Sequence, residues 1–165
     1  MDSIKWTETE KNLIRSFIWE SQARMKYDYF SEEAKREWYE QISEIFTETA
    51  QNEKEHARIF FNFLEGNYVE IPIISDAWNI WTTMQNLEIS AKWENEEWEI
   101  LYPKFTKIAE KEWLKEVAFA FEMISRVEKA HEERFRKLRD KKGWNLPPDI
   151  RKQVIKLIGK FYYLN

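Results

Sequence analysis

Apolar residues recur at intervals of four and three through two long stretches of this chain, residues 4–65 and 81–141, where glycine and proline are almost absent apart from Pro103. That period is one face of an α-helix. Each stretch of about 60 residues is too long for one globular helix, so each is expected to fold into a hairpin. The expected turns are Arg36-Glu37-Trp38 and Lys111-Glu112-Trp113. The predicted first hairpin is 4–36 with 39–65, and the second is 80–111 with 114–141. Gly66 to Asp76 breaks the pattern between them as a loop with an extended apolar centre, and Gly143 to Pro148 breaks it again.

The two hairpins repeat one another. The inward face of the second helix reads Ile42, Phe46, Thr49, Glu53, His56, Phe60 and Phe63. Adding 75 to each number gives Val117, Phe121, Ile124, Glu128, His131, Phe135 and Leu138. The stripe recurs with its Glu and His in the same places, the signature of an internal repeat. Two hairpins joined by one long crossover make an all-α, ferritin-like four-helix bundle. Residues 1–141 form the expected bundle. Residues 142–165 form a tail, where Pro147-Pro148-Asp149 opens a short amphipathic C-terminal helix to about Lys160. That helix is expected to dock on the bundle or across a dimer, a partner- or shell-docking peptide being the alternative.

The polar residues on the apolar stripes carry the chemistry. His56 and His131 are the only histidines, and each follows a glutamate by three residues, Glu53 and Glu128. At that spacing carboxylate and imidazole share one helix face. The first-helix stripe (Leu13, Phe17, Glu20, Ala23, Tyr27, Phe30) and the third (Leu87, Ser90, Glu94, Glu97, Leu101, Phe105, Ile108) are interrupted by Glu20, Glu94 and Glu97. Five inward carboxylates carry a charge of −5, and burying even one unpaired charge costs several kcal/mol. Two Fe(II) ions bring the total to −1, as do two Fe(III) ions with an oxo bridge. Oxygen-rich ligands with imidazole suit iron, with manganese admissible, better than zinc. A Glu from each of two helices and a Glu-x-x-His from each of the other two is the di-iron carboxylate pattern.

Composition narrows the rest. A net charge of −4 gives no sign of nucleic-acid binding. The absence of cysteine removes disulfides, iron–sulfur clusters, thiolate zinc sites and cysteine nucleophiles. No apolar run approaches a membrane span and the start of the chain lacks a signal-peptide layout, so a cytoplasmic protein is expected.

The motifs Glu20-Ser-Gln-Ala-Arg24, Glu53-Lys-Glu-His56-Ala57, Glu94-Asn-Glu-Glu97-Trp98, Tyr102-Pro103 and Glu128-Lys-Ala-His131-Glu132 resemble, in order and spacing, those of the rubrerythrin family, over roughly residues 4–140. The resemblance implies a di-iron peroxidase that reduces hydrogen peroxide to water in oxidative-stress defence. Glu53 and Glu128 would bridge the irons, and Glu20, Glu94 and His131 would be terminal ligands. Glu97 and His56 would exchange on one iron as its oxidation state changes. Tyr27 and Tyr102 match tyrosines that hydrogen-bond the ligands, and Pro103 would kink the third helix just beyond them. The family also forms homodimers or larger homo-oligomers. Its usual rubredoxin-like domain binds iron through four cysteines, which this chain lacks. Electrons would come from a separate donor such as rubredoxin, fed indirectly by NAD(P)H. A ferroxidase or oxygen-reducing protein using the same site, a non-enzymatic iron-binding module and a metal-free scaffold are the alternatives.

One departure concerns tryptophan. The chain has 9 tryptophans and 3 glycines, about 2% glycine against a usual ~7%. Trp6, Trp19, Trp38, Trp81, Trp93 and Trp113 fall where the family pattern commonly has glycine. Either they are packing residues, Trp19 and Trp93 narrowing access to the metals, or some are glycines read through a different genetic code, UGA being the candidate codon.

Overall fold

A computed structural model describes residues 3–75 and 79–141. The expected C-terminal helix and the tail boundary at 142 lie outside the described residues. The elements are α1 (Glu8–Arg36), α2 (Glu40–Asn62), α3 (Thr83–Glu96), a π-helical turn (Glu97–Leu101), α4 (Tyr102–Lys111) and α5 (Lys115–Asp140). α1 packs along α2, and α5 packs along α3 and α4, with further contacts between the two pairs. The two hairpins and the crossover are as expected. Among the described residues no helix is long and apolar enough to cross a membrane.

α1 and α3 start later than the apolar pattern implies, because threonine caps set their starts. Thr7 accepts a hydrogen bond from the Glu10 backbone N–H at 3.0 Å, and Thr82 makes a reciprocal capping box with Gln85. Both hairpin turns are Schellman motifs. Tyr39 N–H donates to Ala34 O (2.8 Å) and Trp38 N–H to Lys35 O (3.0 Å). Leu114 N–H donates to Ala109 O (2.9 Å) and Trp113 N–H to Glu110 O (3.1 Å). Each turn also aims a carboxylate at the other hairpin. Glu112 accepts from the N–H groups of Glu8 and Thr9 at the start of α1, and its counterpart Glu37 accepts from Thr83 at the start of α3. A negative group there satisfies free N–H groups and complements the helix dipole. The turns therefore set how the hairpins lock together.

The repeat offset is 74 residues for Trp19/Trp93 and Glu20/Glu94. It is 75 for Tyr27/Tyr102, Glu53/Glu128 and His56/His131. The extra residue of the second half is taken up by the π turn at 97–101. One inserted residue inside a helix is the usual origin of such a turn, which commonly occurs at functional sites. α5 holds this turn: Trp98 Nε1 and Asn95 Nδ2 donate to the Glu132 carboxylate, and Ser125 Oγ donates to the Trp98 carbonyl. The irregularity expected at Pro103 falls in the turn before it.

The core is two apolar clusters with a polar layer between. One contains Leu13, Phe60, Phe105, Val117 and Phe121, and the other Phe30, Ile42, Phe46, Leu87 and Phe135. Repeat-related ring pairs hold each: Phe60–Phe121 at 5.1 Å in the first and Phe46–Phe135 at 5.3 Å in the second.

Candidate metal centre

Between the clusters lie Glu20, Glu53, Glu94, Glu128, His56 and His131, all buried. They form two overlapping groups whose candidate donor atoms lie within 4.8 Å of one another. One is Glu20, Glu53, His56 and Glu128; the other is Glu53, Glu94, Glu128 and His131. Glu53 and Glu128 belong to both. Each imidazole turns Nδ1 toward three carboxylates. His56 Nδ1 is 2.8 Å from Glu128, 2.9 Å from Glu53 and 3.7 Å from Glu20. His131 Nδ1 is 2.8 Å from Glu128, 3.2 Å from Glu53 and 3.7 Å from Glu94. The helical period thus converts two i, i+3 pairs on α2 and α5 into a near-twofold arrangement.

The residues fit two cations. Glu20 Oε2, Glu53 Oε1, Glu94 Oε2, both Glu128 carboxylate oxygens and His131 Nδ1 are buried without a well-formed hydrogen bond, although they crowd together. Native proteins rarely leave such atoms unsatisfied, and hard cations with oxygen and imidazole donors satisfy them.

Protonation in the metal-free chain shows the same frustration. Burial pushes the Glu20 carboxyl well up, with Glu128 adding to the effect. Burial, then the charges of Glu53 and Glu128, pushes Glu94 up to about 8. Glu53 goes the other way: burial opposes its charge, but the adjacent His131 and His56 imidazoles outweigh it and hold the carboxyl low. Burial disfavours both imidazolium ions, yet the surrounding carboxylates hold both histidines well above their ordinary value. Carboxylates packed this closely need protons, imidazolium or cations among them.

The tyrosines singled out by the sequence reach across the bundle. Tyr27 OH donates to Glu94, and Tyr102 OH donates to Glu20. Burial and the adjacent glutamates raise both phenols well above their ordinary range, so they remain donors. Glu97 lies outside both four-residue groups. It sits on the π turn, half-buried, and lines a cavity of about 410 Å³ with Trp19, Ala23, Lys26, Tyr27 and Trp93. Burial and then Glu20 push its carboxyl well up, which places it within electrostatic reach of the centre. Trp19 stacks on Phe105 and Trp93 on Phe30, both with centroids 6.3 Å apart, and Lys26 Nζ lies 4.0 Å over the Trp93 ring.

Two contributors escaped the sequence reading. Asn52 places its side-chain amide 3.2 Å from His131 Nε2, the nitrogen facing away from the carboxylates. Such a partner fixes the ring that presents Nδ1. Asn52 sits one position off the apolar stripe, and no periodic signal marks it. Glu132 anchors the π turn, a role that its place at the end of the His131 motif did not reveal.

Fold and site together define a ferritin-like four-helix bundle of the carboxylate–histidine, two-cation type. The rubrerythrin family model matches residues 11–139. A rubrerythrin of Porphyromonas gingivalis is 50% identical over 133 residues, 81% of this chain and 66% of that protein. One of Nitratidesulfovibrio vulgaris is 45% identical over 135 residues, 82% of this chain and 71% of that protein. The chain thus spans about two thirds of the length of these relatives. Among solved structures, fully reduced, all-ferrous nigerythrin superposes with a TM-score of 0.71 at 25% identity, covering 86% of this chain and 75% of nigerythrin. Reduced symerythrin from Cyanophora paradoxa gives 0.69 at 23% identity, covering 85% and 88%, a likeness of fold. The chain belongs to the rubrerythrin family.

Proposed function

We propose that this chain is a non-haem di-iron peroxidase that reduces hydrogen peroxide to water with electrons from a separate protein donor. The observation that carries the reading is the pair of buried four-residue groups sharing Glu53 and Glu128. Glu53 and Glu128 would bridge two metal ions. Glu20 with His56, and Glu94 with His131, would hold one ion each, with Glu97 as a further carboxylate exchanging with His56 on one of them. Redox-active ions in that position supply the two electrons needed to cleave the O–O bond of peroxide.

The chain's own residues supply the remaining requirements. Reduction of peroxide to two waters consumes two protons. Glu97, which lines the cavity from the π turn, would deliver one when it is not bound to metal. Tyr27 and Tyr102 orient Glu94 and Glu20 and hold protons at their hydroxyls. The apolar clusters on either side exclude bulk water, and the cavity wall of Trp19 and Trp93 admits small molecules in preference to large ones. The donor, rubredoxin or a protein like it, and assembly as a homodimer or larger homo-oligomer in the cytoplasm belong to the same proposal.

The test is anaerobic reduction of the iron-loaded protein followed by stopped-flow mixing with hydrogen peroxide or with oxygenated buffer. Faster oxidation by peroxide is expected. Faster oxidation by oxygen would replace the reading with a ferroxidase or oxygen-reducing protein. Failure to take up about two irons per chain would remove the di-iron reading altogether.

A further inference from the structure

Four described residues have backbone in the left-handed region: Gly66 (φ 68°), Trp6 (φ 68°), Trp38 (φ 65°) and Trp113 (φ 61°). Every one that is not glycine is a tryptophan. Left-handed φ brings Cβ against the neighbouring carbonyl, so glycine is the default there and asparagine or aspartate the usual substitute; a bulky residue is an outlier. With 9 tryptophans in 165 residues, three independent positions would all be tryptophan on the order of once in several thousand trials, before that disfavour is counted.

The local structures ask for glycine on their own account. Trp38 and Trp113 occupy the C′ position of complete Schellman motifs, where glycine is the preferred residue. Those turns carry Glu37 and Glu112 onto the opposite hairpin, so their conformation cannot relax without loosening both caps. The indoles of Trp6 and Trp113 are 81% and 75% exposed and contribute no core. Trp98 shows the contrast: it lies in the π turn, its Nε1 donates to Glu132, and Lys129 Nζ lies 4.9 Å over its ring. The chain's glycine shortage and tryptophan surplus are complementary.

We propose that residues 6, 38 and 113 are glycine in the protein as its source organism makes it, their codons being read as glycine there and as tryptophan under another genetic code. UGA has this double meaning among known codes, whereas UGG denotes tryptophan. At Trp19, Trp81 and Trp93 the backbone accepts any residue, so the geometry assigns only these three positions.

The experiment combines the coding sequence with peptide mass mapping of protein isolated from its source cells. UGA is expected at codons 6, 38 and 113 and UGG at codon 98, with glycine-containing peptides at the first three. UGG at codons 38 and 113, or tryptophan in the native peptides covering them, would overturn the proposal. A second measurement uses the full chain with tryptophan at these positions as the parent. The W38G/W113G double variant is expected to raise Tm by about 2–8 °C, strain relief outweighing the added freedom of the unfolded chain. W98G is expected to lower it. A double variant less stable than its parent would show that the turns do not call for glycine and would likewise overturn the proposal.

Discussion

Replacing Glu94 by glutamine should stabilise the metal-free protein and destabilise the metal-loaded one. The Glu94 carboxyl is buried, accepts from Tyr27, and is pushed from its ordinary 4.5 up to about 8, by burial first and then by Glu53 and Glu128. At 1.36 kcal/mol per pH unit, holding it ionised at pH 8 or above costs the metal-free fold about 5 kcal/mol relative to the unfolded chain. Coupled neighbours share protons and relieve part of this, leaving about 2–3 kcal/mol. The folded chain binds this proton more tightly than the unfolded one. Stability from this group is therefore complete below about pH 4.5 and lost as pH rises through 8. Glutamine keeps the shape and the acceptor for Tyr27 but carries no charge.

The assay is thermal unfolding of wild type and Glu94→Gln at pH 5 and pH 8, in chelator and in excess Mn(II), which avoids iron oxidation. In chelator the variant should gain about 4–12 °C at pH 8 and about a fifth of that at pH 5. In Mn(II) the order should reverse, because each tenfold loss of metal affinity removes about 1.4 kcal/mol of ligand-induced stability. A variant less stable than wild type in chelator at pH 8 would refute the reasoning. So would an effect of the same sign with and without metal, since a merely structural carboxylate has no reason to change sign.

Other changes probe separate parts of the site. Tyr102→Phe removes the donor to buried Glu20 and should cost about 1–3 kcal/mol in chemical denaturation. Tyr27→Phe should cost a similar amount through Glu94, and a loss at one position only would contradict the cross-bundle pairing. Trp93→Ala widens the cavity beside Glu97 and should speed removal of iron by bipyridyl severalfold while leaving the amount of iron bound unchanged; an unchanged rate would mean metal is reached by another route. Glu97→Ala, which installs the alanine found at the repeat-related position 23, should weaken one of two Mn(II) binding steps about 10–100-fold in calorimetry. Equal weakening of both steps would place Glu97 symmetrically between the ions.

The stripes on α2 and α5 were legible because burial on one helix face imposes a 4,3 spacing, and a charged residue on such a face needs a reason to be there. Glu20, Glu53, Glu94, Glu128 and both histidines followed from that alone. The helix starts were less legible: the periodicity extends through Ile4 and Ile80, while the capping hydroxyls of Thr7 and Thr82 decide where helical backbone begins. The π turn has no composition of its own. Its trace in the sequence is the change of repeat offset from 74 at Glu20/Glu94 to 75 at Tyr27/Tyr102, which becomes meaningful once the turn is seen. Asn52 and Glu132 act from positions beside the stripe, and hydrogen bonds made sideways between helices leave no period.

That single inserted residue accounts for the asymmetry of the centre. The repeat by itself produces matched halves: Glu20 with Glu94, Glu53 with Glu128, His56 with His131, and Tyr27 with Tyr102. Two cations between such halves would meet the same ligands. An inserted residue with no accommodation would turn everything beyond it by about 100° around the helix, carrying Tyr102 away from Glu20. The π turn absorbs the extra residue, so Tyr102 keeps the place that matches Tyr27, and Glu97 comes to line the cavity wall. Both halves line that cavity, and the second presents the Glu97 carboxyl where the first presents Ala23. On the proposed reading, a small oxidant entering beside Trp93 would meet Glu97 before the buried glutamates. Symmetry in the ligand set would hold two ions at matched charge, and the local break in symmetry adds one carboxyl to the cavity wall on one side only.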